Sequence, residues 1–196
     1  MQTLGLSNST PRTDGRLKSL LWPAIHNNVD LDSVTTQGFW LCSFVGTVTL
    51  IFSFLNGAGL TAAIGCFEAV FYFLAGIGVR MQSRIAAAGA FTAYLLGGAV
   101  LQKYTHQGFS IPRLIFLALL LSNVRGIWLS ATWKAAESGP PIVKLSETWR
   151  DKLSDQLPAF LWPKVRIFFY IVAAVEIVIL LLELFPITPA TSGLSA

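Results

Sequence analysis

Apolar residues fall into five long, charge-poor runs at 38–55, 61–79, 85–101, 111–132 and 165–185, separated by polar or glycine-rich breaks. A helix rises about 1.5 Å per residue, so runs of roughly 17 to 25 apolar residues match the ~30 Å hydrocarbon core of a bilayer. The pattern predicts an all-α integral membrane bundle of five transmembrane helices. Asn56-Gly57-Ala58-Gly59 suits a tight turn because glycine accepts positive φ, which makes the first two spans a hairpin. Arg80-Met81-Gln82-Ser83-Arg84 interrupts the next pair with two charges in five residues. Pro112 stands in the first turn of the fourth span, where its missing N–H would lack a partner anyway.

The polar stretches divide the rest of the chain. Residues 1–15, rich in Ser, Thr, Asn and Gly, read as a flexible tail. In 16–37, Leu17, Leu20, Leu21, Trp22 and Ile25 recur at helical spacing beside Arg16 and Lys18, as in a short piece lying on the membrane surface, with Pro23 limiting its length. Residues 134–164 open on Lys134 and carry Gly139-Pro140-Pro141. There Leu145, Trp149, Leu153 and Leu157 repeat every four residues opposite Glu147, Arg150, Asp151, Lys152 and Asp155. This predicts a second interfacial helix that ends near Leu157, because Pro158 disfavours helix at the residue before it. Phe160-Leu161-Trp162-Pro163 then leads into the fifth span, and 186–196 form a C-terminal tail.

Composition agrees with a membrane solvent. The chain is 54% hydrophobic and only 12% charged, against about a quarter charged in soluble domains. The net charge of +4 does not imply nucleic acid, because the basic residues flank apolar runs instead of forming a stripe with interleaved aromatics. With Arg113 and Arg166, at the ends of their spans, counted with the adjoining loops, five spans put 3, 2 and 6 basic residues on the side of the N-terminal tail and 0, 2 and 0 on the other, with Arg125 inside a span. By the excess of Lys and Arg in cytoplasmic loops, the N-terminus is expected in the cytoplasm and the C-terminus outside, in a bacterial inner membrane. An organellar transit peptide is the lesser alternative, since Asp14 interrupts the basic, hydroxyl-rich start. Cys42 and Cys66 fall near opposite ends of their spans, too far apart for a disulfide. His26 and His106 lie in different flanking segments and cannot pair as axial ligands, so the sequence offers no signal for haem, metal or another cofactor.

Three ionisable residues interrupt the spans: Glu68, Arg125 and Glu176. Charged residues at a helix centre cost about 2.5 to 3.5 kcal/mol on insertion scales and need partners. Counting along antiparallel helices puts the two glutamates near the midplane and Arg125 a few residues nearer the cytoplasm, so a single cluster of all three is expected. Glu68 shares its side with Thr61, Gly65, Tyr72 and Ala75, and Glu176 shares its side with Glu183. Such a cluster serves either as a proton or ion relay or as a structural Arg–Glu pair. Small residues recur at i+4, as Gly89, Ala93 and Gly97 on span three and Ala118, Ser122, Gly126 and Ser130 on span four. They predict close packing of those helices, with each other or with a partner subunit. The chain contains no HExxH, Ser/His/Asp set or phosphate-binding glycine loop.

Gly76-Ile77-Gly78-Val79-Arg80-Met81-Gln82-Ser83-Arg84-Ile85-Ala86-Ala87, followed by Asn123-Val124-Arg125-Gly126, resembles a pattern in small uncharacterised bacterial multi-pass membrane proteins. In those proteins a Gly-Ile-Arg-x-x-Ser-Arg-x-Ala-Ala turn precedes a span ending in Arg-Gly. The resemblance implies a helical hairpin and no activity. It also groups Arg80, Arg84 and Arg125 at one depth, as topology determinants or as contacts for anionic lipid headgroups. Three functions follow as expectations. The first is an accessory, structural or assembly subunit of a larger membrane complex. The others are a small oligomeric transporter or channel using Glu68, Arg125 and Glu176, and a lipid-binding or lipid-modifying protein. Membrane lipids, protein subunits and a second copy of the chain are the expected partners.

Overall fold

The computed structural model of the chain describes residues 21–23, 25, 28–55, 60–106, 108, 110–133 and 149–185. The expected N-terminal tail, residues 16–20, 24, 26 and 27 of the first interfacial segment, the Asn56–Gly59 turn, the Gly139–Pro141 linker and the C-terminal tail lie outside the described residues. Five helices account for the rest: α1 (Asn28–Leu55), α2 (Leu60–Arg80), α3 (Arg84–Thr105), α4 (Ile111–Trp133) and α5 (Trp149–Leu184). Each is long and apolar enough to cross a membrane, so the chain is an all-α, multi-pass membrane bundle.

Helices α1 to α4 form a ring, each packed on the next, with α4 closing against α1. Helix α5 lies outside the ring in the groove between α2 and α3. Its peripheral place shows in burial: 22% of its most apolar window is covered by protein, against 50% for α2. Lipid is as apolar as leucine, so the exposed Phe168, Ile171, Val178 and Leu182 incur no hydrophobic penalty there. Association must come from close packing instead. Gly65 on α2 shows how close: an added Cβ would lie 1.5 Å from Ser53 Oγ on α1. At Gly78 an added Cβ would lie 2.4 Å from the Ala86 methyl and 2.5 Å from the Trp162 indole, which covers this glycine from α5. Beyond Trp162, Phe169 stacks on Phe71 with ring centres 5.9 Å apart.

The α2–α3 connection is a helix stop of known geometry. Ser83 N–H donates to Gly78 O at 2.9 Å and Gln82 N–H to Val79 O at 2.9 Å, with Gln82 in the left-handed region at φ 58°. Ser83 Oγ then accepts from Ala86 N–H at 3.3 Å and caps α3. Two charges mark this break in the sequence, but hydrogen bonds make it.

Two expectations about the flanking segments need correction. The stretch assigned to a surface segment before residue 38 is helical from Asn28 and continuous with the first span. Leu31 and Val34 are buried and continue the stripe that runs on through Gly38, Leu41 and Cys42. The second interfacial helix does not end near Leu157, since α5 is one helix with Pro158 and Pro163 inside it. Proline at 158 leaves the Ser154 carbonyl without its normal i+4 donor. Arg80 Nε–H replaces that donor at 3.1 Å, and Pro158 itself is buried, so tertiary contacts offset the local penalty.

Candidate functional site

Charged groups gather at the two ends of the α2–α5 contact, and the two sets are built differently. At the α2–α3 end, Arg80 closes α2 with its side chain 9% exposed. Its Nη2 donates to Asp32 Oδ1 at 2.6 Å on α1 and to Asp155 Oδ1 at 2.5 Å on α5. Nη1 donates to Thr35 Oγ1 at 2.8 Å and Asp32 O at 3.3 Å, while Nε is shared between Ser154 O and Asp155 Oδ1, each at 3.1 Å. Every N–H of the guanidinium is engaged, and one side chain ties three helices together.

This arrangement separates the basic residues that the sequence grouped. Arg80 has no N–H left for a lipid phosphate. Arg84 is exposed at the start of α3. Arg125 turns towards the N-terminal segment, donating to Pro23 O at 2.9 Å with its guanidinium 4.9 Å from the Trp22 ring centre. The three do not line one pocket.

Nearer the α3–α4 end, Glu68 and Glu176 do come together. Glu68 stands eight residues in from Leu60 and Glu176 eight residues before Leu184. Each is therefore about 12 Å from the end of its helix. The ends are in register because Lys103 Nζ of α3 donates to Glu183 O at 2.8 Å and Leu184 O at 3.1 Å, capping α5. Both glutamates line a cleft of about 450 Å³ between α2 and α5, walled by Ile64, Phe67, Ile179 and Leu180, with Glu183 at its rim. Glu176 is 5% exposed, and neither its carboxylate nor that of Glu68 has a hydrogen bond or ion pair among the described residues. The charges acting on Glu176 are Glu68 and Glu183; Arg113 and Glu183 act on Glu68 in opposite senses.

Arg125 is thus absent from the cluster, and the structural Arg–Glu pair that would have explained it does not form. Arg113, in the first turn of α4 and counted by charge with the loop before it, is the nearby cation. Its guanidinium lies 5.3 Å from the Tyr94 ring centre, and its Nε is buried without a hydrogen-bond partner. Sequence reasoning also missed Asp32, Thr35 and Asp155, which it placed in surface segments. The helical spacing of Leu31 and Val34 with Gly38, Leu41 and Cys42 was the available signal.

Helices α3 and α4 pack on each other, and the small-residue stripes also meet further neighbours. Gly89 lies against Phe169 of α5, with an added Cβ 3.8 Å from its ring, and Gly97 opens onto free space. Ala93 is buried. Gly126 meets Ile25, Val34 and Leu31, bringing α4 against α1 and the N-terminal segment. Ser122 and Ser130 are buried, Ser130 Oγ donating to Ile127 O at 3.0 Å, and Ala118 is half-buried. Cys42 and Cys66 are both free thiols.

No protein-family model matches this chain, and no curated protein or solved structure matches it.

Proposed function

We propose that this chain is a small, non-catalytic membrane transporter or channel, acting as an oligomer, that handles a cationic species at the Glu68–Glu176 cleft. One observation supports this reading above the others: Glu176, a buried residue of a membrane-spanning helix, has no partner for its carboxylate among the described residues and stands on the wall of a cleft. Structural carboxylates in a bilayer pair with a cation, because an unpaired one costs several kcal/mol. An unpaired one that is retained is suited to a cation that arrives and leaves. The excess of basic residues beside α1, the α2–α3 turn and α5 favours a cytoplasmic N-terminus in a bacterial inner membrane. In that orientation the cleft lies towards the outer leaflet.

The test is proton and monovalent-cation flux into liposomes containing the purified chain and the trapped pH dye pyranine. Flux well above protein-free vesicles, lost in Glu176→Gln and reduced in Glu68→Gln, is the expected result. Flux equal to that of empty vesicles would overturn the proposal.

An accessory or assembly subunit of a larger membrane complex is the second reading. The place of α5 outside the ring favours it, since its outward flank offers a continuous apolar face to a neighbouring helix as readily as to lipid. Extraction from the source membrane in mild detergent, followed by mass spectrometry, separates the two. Stoichiometric foreign subunits support the accessory role, and a homo-oligomer alone supports the transporter.

A further inference from the structure

We propose that the α2–α5 cleft binds a lipophilic organic cation that enters sideways from the bilayer. This inference rests on reading the cleft as cation-handling and names the class of cation. Three features of the cleft point to that class.

The first is coordination. Inorganic cations replace their hydration shell with several converging oxygens, typically six to eight for Ca²⁺ and six for Mg²⁺. Here the carboxylates feel one another through space, yet no group of three His, Cys, Asp or Glu side chains converges on one point among the described residues. Aliphatic and aromatic side chains supply the remaining wall. A cation that carries its own apolar substituents needs no such oxygen shell.

The second feature is shape. A cleft of about 450 Å³ lies within the range of roughly 300 to 1,000 Å³ that small-molecule sites occupy. Phe67 on its wall presents an aromatic ring, which attracts soft, weakly hydrated cations. The third is access. Ile64 is 52% exposed and Val175 43% exposed, so the cleft opens on the outer surface of the five-helix bundle and not into its interior. An amphiphilic cation dissolved in the adjoining lipid reaches such an opening directly. Glu183, exposed at the rim, adds attraction for a cation sitting at headgroup depth. Glu176, unpartnered at the buried end, supplies the counter-charge, and Glu68 is partly offset by Arg113.

The probe is tetraphenylphosphonium, measured by equilibrium dialysis against the full chain in phosphatidylcholine nanodiscs. Tetraphenylborate, of nearly the same shape and opposite charge, is the control. Saturable binding of the phosphonium but not the borate is expected. Glu176→Gln should weaken it at least about thirtyfold, as for removal of one partner of a buried charge pair. Glu68→Gln should weaken it less, and Ala63→Phe, which fills the cleft from α2, should also abolish it. Because Glu→Gln is isosteric, a matching elution volume confirms folding of that variant, and Ala63→Phe tests the same site without touching charge. No saturable binding, binding indifferent to Glu176→Gln and Ala63→Phe, or equal binding of the borate would each overturn the proposal. Phosphonium binding without pyranine flux would keep the site and discard proton and monovalent-cation transport. Glu176-dependent flux without phosphonium binding would keep transport and discard this substrate class.

Discussion

Helix α5 meets the ring through two clusters of carboxylates, and the contrast between them separates structure from candidate function. At the α2–α3 end, Asp32 and Asp155 converge on the fully hydrogen-bonded Arg80. Nearer the α3–α4 end, Glu68 and Glu176 line an open cleft with no cation bonded to either among the described residues. Residue types are nearly the same in both places, and the difference lies in what surrounds them. A charge whose bonds are all made holds helices together and has nothing left to offer a ligand. A charge left unsatisfied in low dielectric is destabilising by itself, which makes it a candidate for work.

The largest expected effect tests the first half of that contrast. Arg80→Leu leaves two carboxylates facing one another without their shared cation and removes the donor that compensates Pro158. Loss of about 3 to 5 kcal/mol of stability is expected, read as detergent or thermal unfolding in nanodiscs. Arg80→Lys should recover little, because an ammonium cannot reach three helices with a planar fork. A stability change below about 1 kcal/mol in Arg80→Leu would reduce the cluster to an ordinary surface pair.

The second half predicts the opposite sign. Glu176→Gln keeps shape but removes an unpartnered buried charge, so stability should hold or rise by about 1 kcal/mol while flux falls. A loss of stability comparable to that of Arg80→Leu would mean that Glu176 is structural, and the contrast would collapse. The smallest effect concerns the turn that presents Arg80. Gln82 holds a left-handed conformation, which costs a non-glycine residue about 1 kcal/mol, so Gln82→Gly should stabilise by up to that amount with Arg80 undisturbed. Destabilisation instead would show that the Gln82 side chain contributes more than its backbone strain costs.

Much of the fold was legible because a bilayer imposes one length and one polarity on every span. The five runs, the hairpin at Arg80–Arg84 and the start of α4 at Pro112 followed from that constraint. The failures occurred where a local rule met a tertiary contact. Proline predicted a break at 158, and the Arg80 side chain, 78 positions earlier, made the helix continuous. Asp32 and Asp155 looked like solvated residues because their partner is distant in the chain. Depth counting brought Glu68 and Glu176 together but could not assign azimuth, so it added Arg125, which faces Pro23 and Trp22 instead.

By itself, then, the sequence determined the number of spans, the limits of α2 to α4 to within about a turn, and the levels of Glu68 and Glu176 along their helices. These depend only on hydropathy and helical rise, which are local properties. The tertiary structure alone decided which charges meet, which carboxylate stays unpaired, and that α5 lies outside the ring against α2 and α3. Those outcomes depend on helix rotation and neighbour order, which close packing fixes and a linear pattern of apolar residues leaves free.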